Sequence, residues 1–216
     1  MTNRHQSAGR VVEVSAERLA GWIDRFAERH GDLHFDHSPE MIQISAPDGA
    51  TAAVRVPLGS VDDHPDLRTA LLDHVRRDRR TGALLVRRGG YAVGVFDGRR
   101  LLDSKVGQAY VQGRTKAGGW SQQRYARRRE QQAGQAYADA ADAAARVLLP
   151  VVEDLEAVVG GGDVSGVDAV LADPRLEPLR ALITERVLPT PDPRLDVLRQ
   201  FGDRLRAVRI RLNDRA

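Results

Sequence analysis

Twelve consecutive residues, Gly118-Gly119-Trp120-Ser121-Gln122-Gln123-Arg124-Tyr125-Ala126-Arg127-Arg128-Arg129, hold the side chains and backbone with most to offer chemically. The two glycines permit backbone conformations and close approaches that other residues do not. Ser121 is a good helix N-cap, and Trp120 and Tyr125 flank it at the spacing of a hydrophobic staple. A helix is therefore expected to start here. Its first N–H groups have no partner within the helix, so they favour a phosphate or a developing oxyanion at the tip of the loop. With Arg124, Arg127 and Arg128 following, the segment reads as a loop that reaches into RNA.

The charge distribution supports a polyanionic partner. The chain of 216 residues has a formal net charge of +3. Residues 76–129 alone hold 15 Arg or Lys against Asp78, Asp97 and Asp103, a net of +12, which leaves −9 for the remainder. Clustered cations gain affinity by releasing counterions from phosphates. The plainer alternative is an Arg-rich coding bias on solvated faces, with Lys only at Lys105 and Lys116. The absence of cysteine excludes disulfides and thiolate metal sites and suits a reducing cytoplasm. No apolar run approaches the ~20 residues of a membrane span, so a soluble, intracellular protein is expected.

At these residues the chain resembles the central domain of eukaryotic and archaeal peptide-chain release factors. That domain carries a Gly-Gly-Gln loop followed by Ser, two residues, Arg, an aromatic, Ala and Arg. The matching positions are Gly118, Gly119, Ser121, Arg124, Tyr125, Ala126 and Arg127, after a basic approach, Arg114-Thr115-Lys116. Upstream, Tyr91 to Gly98 and Arg99 to Asp103 look like the hairpin that enters the domain, and the likeness spans roughly residues 82–146. Trp120 stands where the family has its glutamine. The Vms-like release factors, particularly their actinobacterial members, are the most similar branch; there a displaced glutamine is thought to serve, and Gln122 is the nearest replacement, with Gln123 second.

The resemblance implies a peptidyl-tRNA hydrolase that frees nascent peptides from stalled ribosomes. An activated ester needs little acid–base help if water is placed and the oxyanion stabilised, which backbone amides and a neutral side-chain amide can do. By the same resemblance, Gly118 and Gly119 give the loop its reach into the peptidyl-transferase centre. Gln122 positions water or the leaving ribose, and Arg114, Lys116, Arg124, Arg127 and Arg128 hold ribosomal RNA. The implied partners are the large ribosomal subunit and peptidyl-tRNA, with no cofactor, membrane or DNA. With no recognisable stop-codon-reading domain, codon-independent rescue is expected. A catalytically silent RNA- or ribosome-binding module is the alternative.

Three other constellations invite weaker readings. All six histidines precede Val75, and the run His30-Gly31-Asp32-Leu33-His34-Phe35-Asp36-His37 offers metal-ligand types, although solvated polar residues in a turn-rich segment are the simpler reading. Asp97, Asp103, Asp139 and Asp142 supply the carboxylates that a metal-dependent nuclease would need, yet Asp97-Gly98 suits a hairpin turn, and Asp139 and Asp142 suit a solvated helix face. Gly160-Gly161-Gly162-Asp163 follows a strand like a phosphate loop but lacks the Lys-Ser/Thr ending of one, so a strand-to-helix turn is expected.

These residues need elements to position them. Alternation and apolar spacing predict a strand at Val11–Val14, a helix at Ala16–His30, strands at Met41–Ser45 and Ala52–Val56, and a helix from Pro65. Ala83–Val86 and Ala92–Phe96 flank Gly89-Gly90 as a hairpin, with further strands at Leu101–Val106 and Ala109–Val111. A long helix from Gln122 carries Ala126, Ala133, Tyr137, Ala140, Ala144 and Val147 or Leu148 on one stripe. Then come a buried strand at Leu155–Val159, helices at Val167–Leu171 and Leu176–Val187, and a closing strand within Leu205–Leu212. The fold expected is α/β, a mixed sheet with packed helices, and the resemblance implies a ribonuclease-H-like topology. A small α/β unit at 1–75 and a release-factor-like catalytic domain at 76–216 are expected.

Overall fold

The computed structural model describes residues 9–38, 40–61, 64–108, 121–184 and 186–216, the side chains of 121–133 excepted. In chain order the elements are β1 (Val11–Val14), α1 (Ala16–His30), β2 (His34–Ser38), β3 (Met41–Ser45), β4 (Thr51–Arg55), α2 (Leu67–Arg76), β5 (Arg80–Arg87), β6 (Gly90–Asp97) and β7 (Arg100–Gln108). They continue with α3 (Ser121–Leu148), β8 (Ala157–Gly162), α4 (Val164–Leu171), α5 (Glu177–Arg180), α6 (Leu195–Leu205) and β9 (Val208–Leu212). The protein is mixed α/β with two sheets, ordered β1-β9-β4-β3-β2 and β7-β6-β5-β8. Contacts divide it into two compact units, residues up to Arg77 with Asp203–Ala216, and Asp78–Gly202.

In the first unit all strand pairs are antiparallel. One face of the sheet is apolar because alternate residues point the same way. Ile42, Ile44, Ala52, Val54, Val208 and Ile210 are fully buried, and they share a core with Leu19, Ile23 and Phe26 of α1 and Leu71 and Val75 of α2. The α2 N-terminus is capped by Asp66, whose carboxylate accepts a hydrogen bond from the Thr69 amide at 3.1 Å.

Two expectations are corrected here. The histidine-rich segment includes a strand, β2, which pairs with β3. The C-terminal strand does not close the sheet beside the motif. Instead β9 lies between β1 and β4, with Ile210 opposite both Val12 and Val54. The last strand therefore joins the N-terminal unit, and the boundary expected at 75/76 does not assign the C-terminus as it was drawn. Period-two alternation in Val208, Ile210 and Leu212 identifies a half-buried strand but carries no information about its partners.

The second unit is built on three antiparallel strands, β5 to β7, followed by α3 and then β8, which runs parallel to β5. That order matches the ribonuclease-H-like arrangement expected. β5, β6 and β8 are buried almost throughout, as strands covered on both faces must be. β7 is an edge strand whose exposed Arg100, Asp103 and Lys105 discourage further pairing.

Beyond β8 the chain departs from the expected helix over Leu176–Val187. Only Glu177–Arg180 is α-helical, preceded by a 3-10 turn at Pro174–Leu176. The following residues instead serve the open side of β8. Thr184 donates its amide to the Val158 carbonyl and Leu188 donates to Gly160, both at 2.9 Å. Backbone groups of a buried strand must be paired, which outweighs the helical spacing of the leucines. The helix α6 was not anticipated, although Leu198, Phe201 and Leu205, all buried, have helical spacing.

Candidate RNA-facing site at the start of α3

The sheet delivers the chain to Gln108 at the end of β7, and α3 begins at Ser121, within the one- to two-residue latitude of the expected start. Arg114, Lys116, Gly118, Gly119 and Trp120 lie outside the described residues, as does the strand expected at Ala109–Val111. Gln122, Gln123, Arg124, Arg127 and Arg128 occupy the first turns of α3. Backbone register and the packing of the rest of the helix are therefore what position them.

The described side chains of α3 show how the helix is held. Ala140 and Ala144 are fully buried; Ala141, Ala143, Val147 and Leu148 are buried beside them in a core that includes Leu84, Val93 and Val95 of the sheet. Small alanine side chains let a helix lie close to a sheet. A bridge made by Arg175 fixes the solvent side: its guanidinium meets Asp142 of α3 at 2.7 Å and Asp173 at 2.7 Å. The Arg175 hydrogen bonds, side chain first and backbone second, hold the Asp173 carboxyl down to about 2.

Five turns of α-helix take up 18 residues, so positions 18 apart share a register. Gln122 and Gln123 fall on the register of buried Ala140 and Ala141, whereas Arg124 and Arg128 fall on that of exposed Asp142 and Arg146. Arg127 shares its position with half-buried Ala145. By backbone register, Gln122 and Gln123 thus hold different positions from Arg124 and Arg128, while Arg127 follows Gln123 by one turn. First-turn amides have no partner within a helix, and with the helix dipole they favour negative charge at that end.

The basic segment is less uniformly available than its sequence count implies. Arg79 is buried and meets Glu156 at 3.4 Å, Arg80 meets Asp154 at 2.9 Å, and Arg87 lies 3.7 Å from Asp163 and 3.8 Å from Asp192. These acids come from outside the segment, so part of its excess charge supports the fold. Arg88, Arg100 and Lys105 are exposed.

The competing constellations are not assembled. Asp97 is paired in register with Arg100, Asp103 accepts a hydrogen bond from the Ser104 amide, Asp139 accepts one from Gln135, and Asp142 is held by Arg175. The histidines go to separate partners: His30 to Asp48 at 2.7 Å, His37 to the Val61 carbonyl at 2.6 Å, and His74 to the Pro57 carbonyl at 2.8 Å. Among the described residues no group of three or more His, Asp or Glu is arranged to hold a metal ion.

The triglycine has a packing role. A Cβ on Gly161 would lie 2.5 Å from Leu85 and 2.8 Å from the Thr190 hydroxyl, and Gly162 takes a φ of 94° as the strand turns into α4. No helix among the described residues is long and apolar enough to cross a membrane.

Residues 79–211 match the family model described as Actinobacteria/chloroflexi VLRF1 release factor. Among solved structures, the crystal structure of the archaeal translation termination factor aRF1 is similar at 17% identity and a TM-score of 0.43, over 85% of this chain and 51% of that one. A structure described as an archaeal protein is similar at 17% identity and a TM-score of 0.36, over the same shares. The chain thus spans about half the length of these solved structures. A search of curated proteins finds no match.

Proposed function

The chain belongs to the actinobacterial and chloroflexi VLRF1 release-factor family, and from that premise we propose that it is a peptidyl-tRNA hydrolase, freeing nascent peptides from stalled cytoplasmic ribosomes. The observation that supports this reading is the sequence Gly118-Gly119, which precedes Ser121, the first residue of α3, with Trp120 between them, and lies inside the matched residues. In the proposed reaction, water adds to the carbonyl carbon of the ester that joins the peptide to the terminal ribose of tRNA, and one of its protons passes to solvent. The tetrahedral oxyanion then collapses, the ribose oxygen leaves with a proton, and the peptide departs as its carboxylate.

Little of this needs a strong acid or base. Amides at the start of α3 would stabilise the oxyanion, and the Gln122 side chain would orient water or the leaving ribose, with Gln123 second in line. Gly118 and Gly119 would let the loop enter the peptidyl-transferase centre of the large subunit. Arg114, Lys116, Arg124, Arg127 and Arg128 would hold ribosomal RNA. The separate registers of the glutamines and of Arg124 and Arg128 on α3 support that division of labour.

One observation favours a second reading. Trp120 occupies the position of the family glutamine, as would be expected of a module that binds ribosomes and has lost hydrolysis. Peptide release from stalled ribosome–nascent chain complexes, with and without chelator, separates the two. Chelator-insensitive release is the outcome of the first reading; stable binding without release is that of the second.

A further inference from the structure

A cavity of about 240 Å³ opens in the N-terminal unit against α1, lined by Arg10, Trp22, Arg25, Phe26, Arg29 and His30 among others. Three aromatic rings recur there at four-residue intervals, which places them on one helical face. The rings of Trp22 and Phe26 stack at 5.3 Å with 17° between their planes, and Phe26 and His30 follow at 4.6 Å. His30 is fixed by Asp48 through Nδ1. Phe26 is buried, whereas Trp22 at the end of the ladder is half-buried and retains accessible surface.

The rim is cationic. Arg10, Arg25 and Arg29 are exposed, and none has an ion-pair partner among the described residues. Asp24, next to Arg25 in sequence, is paired with Arg68, and Asp48, which contacts the cavity through His30, is paired with that imidazole. The cavity is smaller than the ~300 Å³ at which pockets for drug-sized ligands begin, so it suits one ring system with its charged substituent outside. An aromatic platform bordered by guanidiniums is the chemistry that recognises a base by its π-face and its phosphate by charge.

We propose that this cavity binds a nucleobase with its phosphate, the base stacking on Trp22 and the phosphate meeting Arg10, Arg25 and Arg29. The nucleotide is either free or one unit of a single strand of RNA. The site lies outside the residues matched by the release-factor family and does not depend on the hydrolytic reading.

The chain has two tryptophans, so full-length protein carrying Trp120→Phe reports on Trp22 alone. Its fluorescence would be titrated with adenosine monophosphate, short oligouridylate, inorganic phosphate and oligoglutamate. Saturable quenching by the nucleotide or the oligonucleotide is expected, weakening as salt rises and by ~10-fold or more in Arg25→Glu/Arg29→Glu, whose exposed positions preserve folding. Tighter binding of the monophosphate identifies a free nucleotide, and tighter binding of the oligomer identifies a strand. The proposal is overturned if neither quenches Trp22 up to millimolar concentration. It is equally overturned if the charge-reversed variant binds as well as its parent, or if oligoglutamate or inorganic phosphate produces the same quenching.

Discussion

The two ends of α3 share one backbone and are asked to do different things. From Ala136 onward the helix is lined with alanine and lies against the four-stranded sheet, fixed on its solvent side by the Arg175 bridge. In its first turns the same registers carry Gln122 and Gln123 where the later turns carry Ala140 and Ala141, and Arg124 and Arg128 where the later turns carry exposed Asp142 and Arg146. Residue size decides packing at one end, while the sequence of the other is rich in amides and arginine. One helix thereby joins the packed sheet to the residues of the candidate site, as a site mounted on a regular scaffold requires.

The comparison is broken most severely at the loop. On the proposed function, Gly118→Ala/Gly119→Ala is expected to abolish peptide release while the melting temperature stays nearly unchanged, since substitutions outside a packed core usually cost little stability. Normal release by that double variant would remove the loop from the mechanism. At the packed end the opposite pattern is expected. Ala144→Leu inserts volume at a fully buried position, which should destabilise by about 1–3 kcal/mol and lower the melting temperature by several degrees, with release per folded molecule retained. Thermal unfolding read beside release kinetics checks both.

Arg127→Glu/Arg128→Glu should weaken ribosome association and flatten its salt dependence, because fewer counterions are released on binding. Sedimentation across a salt series tests this, and an unchanged slope would assign these arginines to coding bias. The smallest effect concerns the clamp on the packed half. With its carboxyl held down to about 2, Asp173 contributes stability that is complete above the ordinary carboxylate range and is lost as pH falls toward 2. Asp173→Asn should be slightly less stable than the parent at neutral pH, and the two should converge in acid unfolding near pH 2.

Legibility in the sequence followed the range of the forces involved. Alternation at Ile42, Ile44, Ala52 and Val54 and the apolar run at Leu84–Val86 are local patterns, and β3, β4 and β5 were readable from them. The long helix was readable because its alanines recur at helical spacing. The partners of β9 were not, since a strand near the C-terminus can reach any open edge and its residues record only which face is buried. β2 was obscured because His34, Asp36 and Ser38 occupy its exposed face. The stretch after α5 misled because its leucines keep helical spacing while its backbone serves β8. The start of α3 was legible from Ser121 and the staple, but the chemistry assigned there came from the release-factor resemblance, and the family match supports that source rather than any pattern of spacing.

The central claim rests most directly on Gln122. Release of nascent peptide from stalled ribosomes would be followed in single turnover for the parent, Gln122→Ala and Gln123→Ala, with ribosome binding measured in parallel. Alanine is well tolerated in the first turn of a helix, so folding and binding should survive in both variants. The account predicts that Gln122→Ala slows release by ~10²-fold, the scale of one lost transition-state hydrogen bond, and that Gln123→Ala, about 100° further round the helix, is milder. Full release by both variants would contradict it.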